Sequence, residues 1–187
     1  IIGLEYASLF AALGVKVTLV DKRDRLLPFI DSEIMDTLAY HLRENLVMLR
    51  LGEEVKSLAP IHDTHGDKVR ISLQSGKQIV TEKALYSIGR TGATESLNLA
   101  AAGLAVDDRG RIPVNENYAA PHTYAVGDVI GFPSLASTSM EQGRLAAAHA
   151  FDLPTSSMPH LYPYGIYAIP EISTVGKNEE ELTKAEL

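Results

Sequence analysis

An α/β fold, built on a repeated helix-then-strand order and continued by an antiparallel meander, is predicted by three observations. Apolar helix and short apolar strand alternate twice between Ile1 and Leu51. Residue-by-residue alternation replaces that order from Val69 to Leu73, and glycines stand directly after predicted strands, at Gly89 and Gly127. Helix and strand in succession, joined by right-handed crossovers, make a parallel sheet whose ligand-facing loops lie at the carboxyl ends of its strands.

The first element is IIGLEYASLFAALGVKVTLVD, Ile1 to Asp21. An apolar face at Leu4, Ala7, Leu9, Phe10 and Leu13, ended by Gly14, predicts a helix stopped by a C-cap glycine. VKVTLV is nearly continuous in apolar residues, the pattern of a parallel strand buried on both faces. Gly3 falls where the third glycine of G-x-G-x-x-G belongs, the one that lets helix and strand approach closely. Asp21 lies about 20 residues on, where a carboxylate meets an adenosine ribose. The first two glycines would precede Ile1, so the chain is expected to be part of something longer. Any α/β protein can place a glycine and a Val-rich strand after an apolar helix, and on this stretch alone a generic βαβ unit remains open.

Composition narrows the class. The 187 residues carry 24 Asp and Glu against 17 Lys and Arg, with no basic cluster interleaved with aromatics. That balance argues against a nucleic-acid surface and fits an ordinary enzyme. There is no Cys, so no disulfide, thiolate metal site or redox dithiol resides in these residues. No apolar run approaches the ~20 residues of a membrane helix. Without a signal-peptide start, a cytoplasmic location with no membrane partner is the default expectation.

Further along, Pro28 ends a connection and Asp31 or Ser32 can cap a helix running to about Asn45, with Ile34, Leu38, His41 and Leu42 at helical spacing. His41 is expected to be packed or half-buried rather than a ligand, and the six His show no metal spacing. LVMLRL is a second short buried strand. Val69–Leu73, the QSGK turn and QIVTEKALYSIG predict the meander and a final buried strand at Ala84–Ile88. ALAVDDRGRIPVN offers a DRG turn between two short strands. Tyr124–Val126 reads as a compact strand running into Gly127 and Asp128, and a helix of small residues is expected from about Ala136 to Phe151. DLPTSSMPHLYPYG reads as a linker, GIYAIPEISTVG as a strand segment, and NEEELTKAEL as a charged helix start whose Glu179–Glu181 face is solvated. The expected divisions are 1–90, 91–152, a linker at 153–164, and 165–187.

Two strand ends lead through glycine to an acid's neighbourhood. An acid at Asp128 can accept hydrogen bonds from a polyol chain, while the following helix N-terminus suits pyrophosphate or a carbonyl oxygen. Two such places imply two nucleotides.

Here the sequence resembles the flavoproteins with two dinucleotide-binding domains related to glutathione reductase and dihydrolipoamide dehydrogenase. IIGLEYAS, LYSIGRTG, YAVGDVIG and GIYAIPEISTVG carry the resemblance, in the family's order, over essentially the whole chain. Members more often carry Pro-Asn after the Gly-Arg pair, where Gly92 and Ala93 stand here. The resemblance implies a Rossmann-like NAD(P)-binding domain at 1–90, the carboxyl-terminal part of an FAD-binding domain at 91–152 and the start of an α+β interface domain at 165–187, through which such enzymes form homo-oligomers. It implies Ile2 and Gly3 near the pyrophosphate of NAD(P), Glu5 facing the nicotinamide carboxamide, and Gly89 lying against the nicotinamide. Gly127 and Asp128 would meet the ribityl part of FAD, and the backbone of Leu135 and Ala136 the flavin pyrimidine edge. The implied reaction is hydride transfer between NADPH and NAD by way of FAD. The alternatives are a disulfide reductase with a redox cysteine pair before Ile1, and a nucleotide-binding module without catalysis.

Other roles stay open for several residues. Glu5 can be a solvated helix residue, although its turn after the fingerprint favours the ligand cleft. Asp21 can be a loop acid, and Arg90 is expected to be an ion-pair residue rather than a cofactor contact. Asp128, expected buried at a strand end, has no structural explanation there. Asp21 favours a free 2′-hydroxyl, whereas Lys22, Arg23 and Arg25 can offer a 2′-phosphate cationic partners. A carrier of hydride between NAD and NADP must accept both.

Overall fold

Helix α1 (Ile2–Ala12) begins the computed structural model, which describes residues 1–64, 66–154 and 161–185. Its end is a full Schellman motif: Val15 N–H donates to the Phe10 carbonyl and Gly14 N–H to that of Ala11, with Gly14 at φ +82°. The left-handed turn needs a residue without Cβ, as the sequence predicts. The buried stripe is Leu4, Ala7, Ser8 and Ala11, spaced i, i+3, i+4, i+7 on one helix face. Leu9, Phe10 and Leu13, expected inside, are exposed. Ser8 is tolerated in the stripe because its hydroxyl donates to the Glu5 carbonyl at 2.9 Å.

Strands β1 (Thr18–Asp21) and β2 (Met48–Leu51) pair in parallel, Asp21 against Leu51, joined by α2 (Ser32–Glu44). The parallel order is as expected, but neither strand is buried on both faces: Met48 is 51% exposed and Leu46, before it, 81%. Each has a single ladder partner among the described residues, so the sheet has no second covered edge. The buried stripe of α2 is Met35, Leu38, Ala39 and Leu42: Leu38 and Leu42 are as expected, and Met35 and Ala39 stand in place of Ile34 and His41. Ile34 and His41 are exposed, and His41 lies edge-on to Tyr40 with ring centroids 5.6 Å apart.

The meander forms as β3 (Val55–Asp63), β4 (Gly66–Leu73) and β5 (Gln78–Thr81), all antiparallel. Leu73 N–H donates to the Lys77 carbonyl across the Gly76 turn. Ala84–Ile88 does not form a strand, and Leu85, Tyr86 and Ile88 are 60%, 68% and 80% exposed. An extended apolar segment becomes a buried strand only beside ladder neighbours, and among the described residues it has none.

Residues 1–88 and 163–187 form one compact unit and 89–162 another. In the first, the hairpin of β8 (Pro163–Ile166) and β9 (Ile172–Val175) inserts Ile166, Ala168 and Ile172 into a core with Leu4, Leu38 and Leu42. Each leucine or isoleucine buried in this way contributes about 1.5–3 kcal/mol, and the alanine less. The expected single strand over 165–176 is thus a hairpin packed on α1 and α2. Helix α4 (Glu179–Lys184) starts with a capping box at Asn178.

In the second unit, the DRG turn forms around Asp107, whose carboxylate accepts from the Arg109 and Arg111 N–H groups, both at 2.8 Å. Its flanking segments make no ladder, so the two strands expected there are absent. The compact strand at Tyr124–Val126 shortens to β7 (Thr123–Tyr124), paired with β6 (Ala119–Ala120). A single 3₁₀ turn, Gly127–Ile130, follows, and then α3 (Ala136–Ala150), close to its expected limits. Residues 155–160 of the expected linker lie outside the described residues.

Candidate nucleotide-binding site

In the first unit the site is built from the N-terminus of α1 and the carboxyl end of β1. Ile2 and Gly3 open α1, where the first N–H groups have no intrahelical partner and the helix dipole favours an anion. A Cβ on Gly3 would stand 2.5 Å from Ser87 Oγ, so the close approach expected at this glycine is real. What approaches is the non-strand segment that carries Ser87. One turn on, Glu5 Oε1 accepts the Tyr167 N–H at 2.9 Å, and Ser8 Oγ accepts that of Ile169 at 3.1 Å. The α1 face therefore also holds the β8–β9 hairpin, a role for Glu5 that sits 162 residues away in sequence and had no local signal.

Asp21 closes β1 with its side chain 19% exposed. Its carboxylate is gripped by Arg23: the Arg23 backbone N–H and Nε meet Oδ1 at 3.0 and 2.9 Å, and NH2 meets Oδ2 at 2.5 Å. Burial alone would raise the Asp21 carboxyl, but the Arg23 hydrogen bonds outweigh it and hold the group below the ordinary carboxylate value. The strand end is fixed from behind, since Gly52 N–H donates to the Arg23 carbonyl and Glu53 N–H to that of Asp21. Glu53, itself buried, accepts from Lys77 and Ser75 at 2.6 Å each, which holds its carboxyl below the usual range. Lys22 is exposed beside the pair.

Arg25 does not belong with those cations. Its NH1 pairs with Glu180 at 2.9 Å and its NH2 donates to the Ile30 carbonyl, which draws it away from Asp21 toward α4. Glu180 also accepts the Ser32 N–H at 3.2 Å, and Asp31, the N-cap residue of α2 as expected, makes no side-chain cap bond but accepts the Glu179 N–H at 2.7 Å. The solvated face expected at Glu179–Glu181 is therefore partly a docking surface. Hydrogen bonds to Glu180 from Ser32 and the backbone, with Arg25 beside it, bring its carboxyl to about 2.

In the second unit, Gly127 takes φ +81° and its buried N–H donates to Gln142 Oε1 at 2.7 Å. Gln142 is 1% exposed, a residue the sequence reading missed because nothing local distinguishes a glutamine turned inward. Asp128 is not the buried acid expected: the 3₁₀ turn carries its side chain outward, 55% exposed and 3.8 Å from Arg90. The ion-pair expectation for Arg90 is thereby met in a loose, solvated form. Gly89 is exposed at φ +146°. A Cβ on Gly92 would collide with the Gly110 carbonyl, which also accepts from Thr94 Oγ1 at 2.8 Å. That contact explains a glycine at this place. Leu135 is the N-cap of α3 and Ala136 its first residue, and the Leu135 carbonyl accepts from the hydroxyls of Thr138 and Ser139.

Among the described residues no helix is long and apolar enough to cross a membrane, and no group of three or more His, Cys, Asp or Glu is placed to hold a metal.

Comparison with known proteins bears on both units. The chain is 53% identical to the soluble pyridine nucleotide transhydrogenase of Mycobacterium tuberculosis and 47% identical to that of Pseudomonas aeruginosa, each over 100% of this chain and 40% of the relative. It thus spans about two fifths of the length of those relatives. Among solved structures, the HOCl-induced flavoprotein disulfide reductase RclA from Escherichia coli is 30% identical with a TM-score of 0.88, over 98% of this chain and 42% of that one. LpdA from Mycobacterium tuberculosis is 26% identical with a TM-score of 0.88, over 100% and 40%. Residues 1–143 match the family model described as pyridine nucleotide-disulphide oxidoreductase, and the chain belongs to that family.

Proposed function

We propose that these residues are the NAD(P)-binding domain (1–90), the closing part of the FAD-binding domain (91–152), a linker (153–164) and the start of the interface domain (165–187) of a flavoprotein that moves hydride between NADPH and NAD. The reaction is that of a Si-specific NAD(P)+ transhydrogenase, carried out by a cytoplasmic homo-oligomer. The observation that carries this reading is 53% identity across the whole chain to a protein named for that activity. The residues fit the cofactors. Ile2 and Gly3 present helix N–H groups to a pyrophosphate, and the close-packed Gly3 leaves no side chain in the way. Asp21 offers the adenosine ribose a carboxylate acceptor, with Lys22 and Arg23 as cations for a 2′-phosphate. Glu5 keeps Oε2 for the nicotinamide carboxamide while Oε1 holds Tyr167, and Gly89 gives the ring an unobstructed backbone. Gly127, Asp128, Leu135 and Ala136 would hold FAD, whose bound flavin supplies the hydride relay.

A second reading, a disulfide reductase, is favoured by the likeness to RclA. The two separate in one assay on the FAD-loaded protein at the relatives' full length: NADPH-driven reduction of an NAD analogue, with lipoamide and glutathione as competing acceptors. Turnover of the NAD analogue alone is expected; turnover of a disulfide alone would overturn the transhydrogenase reading. The 187 residues by themselves are expected to show no turnover and to retain little FAD.

A further inference from the structure

The loop after β1 holds one carboxylate and one guanidinium locked together, and that arrangement bears on which nucleotide it accepts. We infer that Arg23 changes partner with the cofactor: it stays on Asp21 when the adenosine ribose carries two hydroxyls, and moves to the phosphate when the 2′ position is phosphorylated. This deepens, and rests on, the assignment of the Asp21 loop to the adenosine ribose.

The geometry supplies both states. With Arg23 in place, Asp21 is neutralised but not used up: its oxygens accept three hydrogen bonds from Arg23, whereas an ionised carboxylate has about four acceptor sites. One remains for a ribose hydroxyl. The depths of the two side chains favour movement of the arginine, because Asp21 is 19% exposed and Arg23 46%. The guanidinium can swing outward without disturbing the strand end, which Gly52 and Glu53 hold through the backbone. Water reaches the pair from the arginine side, 46% exposed, and screens it there, while a doubly charged phosphate offers the same guanidinium fork a bidentate partner of higher charge. The backbone N–H of Arg23 stays on Oδ1 after the side chain leaves, so Asp21 is not stranded.

The neighbouring cations fit the same account. Arg25 is tied to Glu180 and the Ile30 carbonyl, so it does not compete. Lys22 adds positive charge without a fork. A lone acid would reject NADP, and a lone arginine would leave the ribose diol without an acceptor. A pair that opens admits both, as a carrier of hydride between the two nucleotides requires.

The test is the dissociation constant for NAD+ and for NADP+, followed by the flavin spectrum of the FAD-loaded protein at the relatives' full length, for wild type, Arg23→Gln, Arg23→Lys and Asp21→Asn. Arg23→Gln is expected to weaken NADP+ by ~10- to 100-fold, the range for losing charge-assisted bonds, with NAD+ changed less than ~3-fold. Arg23→Lys is expected to lose less of the NADP+ affinity and none of the NAD+ affinity. Asp21→Asn releases the arginine, so NADP+ tightens and NAD+ weakens, each by ~10-fold. Equal loss for both nucleotides in either Arg23 variant, or unchanged NADP+ affinity in Asp21→Asn, overturns the partner exchange and leaves the ribose-loop assignment standing. A wild-type protein that binds neither nucleotide removes that assignment, and the exchange with it.

Discussion

Ser87 Oγ lies 2.5 Å from where a Cβ on Gly3 would be, and Ser87 Cβ lies 3.7 Å away. Gly3→Ala therefore sets two effects against each other. Alanine gains helix propensity, less than the ~1 kcal/mol of a helix interior because Gly3 lies in the first turn of α1, and the new methyl displaces the serine hydroxyl. The expected outcome is a net loss of about 1 kcal/mol with Ser87 present. In the Ser87→Ala background, where only an ordinary contact remains, the same substitution is expected to be neutral or stabilising. Denaturant unfolding of the four proteins in the cycle checks this. An equal cost in both backgrounds would show that Gly3 is retained for some reason other than Ser87.

Gln142 holds the Gly127 N–H inside the second unit, beside the turn that presents Asp128. Gln142→Leu keeps much of the volume and removes the acceptor, leaving a buried donor unpaired, which costs about 1–3 kcal/mol. The measurement is urea unfolding together with FAD content of the purified protein at the relatives' full length. Both are expected to fall. Unchanged FAD content at reduced stability would separate Gln142 from the cofactor site.

How far the fold was legible depended on the range of the forces involved. The Schellman end at Gly14, the meander turn at Gly76 and the limits of α3 are set within a few residues, and sequence spacing found them. In α2, Leu38 and Leu42 were legible, but spacing alone does not choose between the adjacent apolar residues Ile34 and Met35, and Met35 is the one that joins a core assembled from distant segments, Leu4 and Ile166 among them. Ala84–Ile88 has the pattern of a buried strand, but a pattern cannot supply ladder partners. The close approach at Gly3 and the place of Asp21 at the end of β1 were legible through their spacing. The Arg23 grip on Asp21, two residues away, depends on side-chain direction. The capture of Arg25 by Glu180, 155 residues apart, depends on tertiary packing that no local rule contains.

Asn178 is 5% exposed and serves two elements at once. Its Oδ1 accepts the Glu181 N–H at 2.8 Å, and its Nδ2 donates to the Pro28 carbonyl at 3.3 Å. Asn178→Ala removes both and is expected to cost about 1–2 kcal/mol. Asn178→Asp keeps the oxygen that caps Glu181 and loses only the bond to Pro28, so it should cost less than alanine by the share that belongs to the cap. Hydrogen exchange of α4 amides gives the contrast directly. If the two variants exchange alike, the cap on Glu181 contributes nothing and the bond to Pro28 carries the loss.

Glu180 makes the acid stability of the first unit a measurable quantity. Its carboxyl stands at about 2 in the folded chain against an ordinary 4.5, so the folded state prefers the ionised form. The stabilisation is fully present above the unfolded value near 4.5 and is lost as pH falls toward 2, since protonation then breaks the bonds to Ser32 and Arg25. Glu180→Gln removes the titrating group and leaves the Arg25 guanidinium without its anion. Wild type is therefore expected to be the more stable protein at pH 7, with the gap closing between pH 4.5 and 2 as its own carboxylate is neutralised. Urea midpoints of both proteins at several pH values across that window measure the gap. If it stays constant from pH 7 to 2, the ionised form of Glu180 is not what docks α4 on the loop before α2.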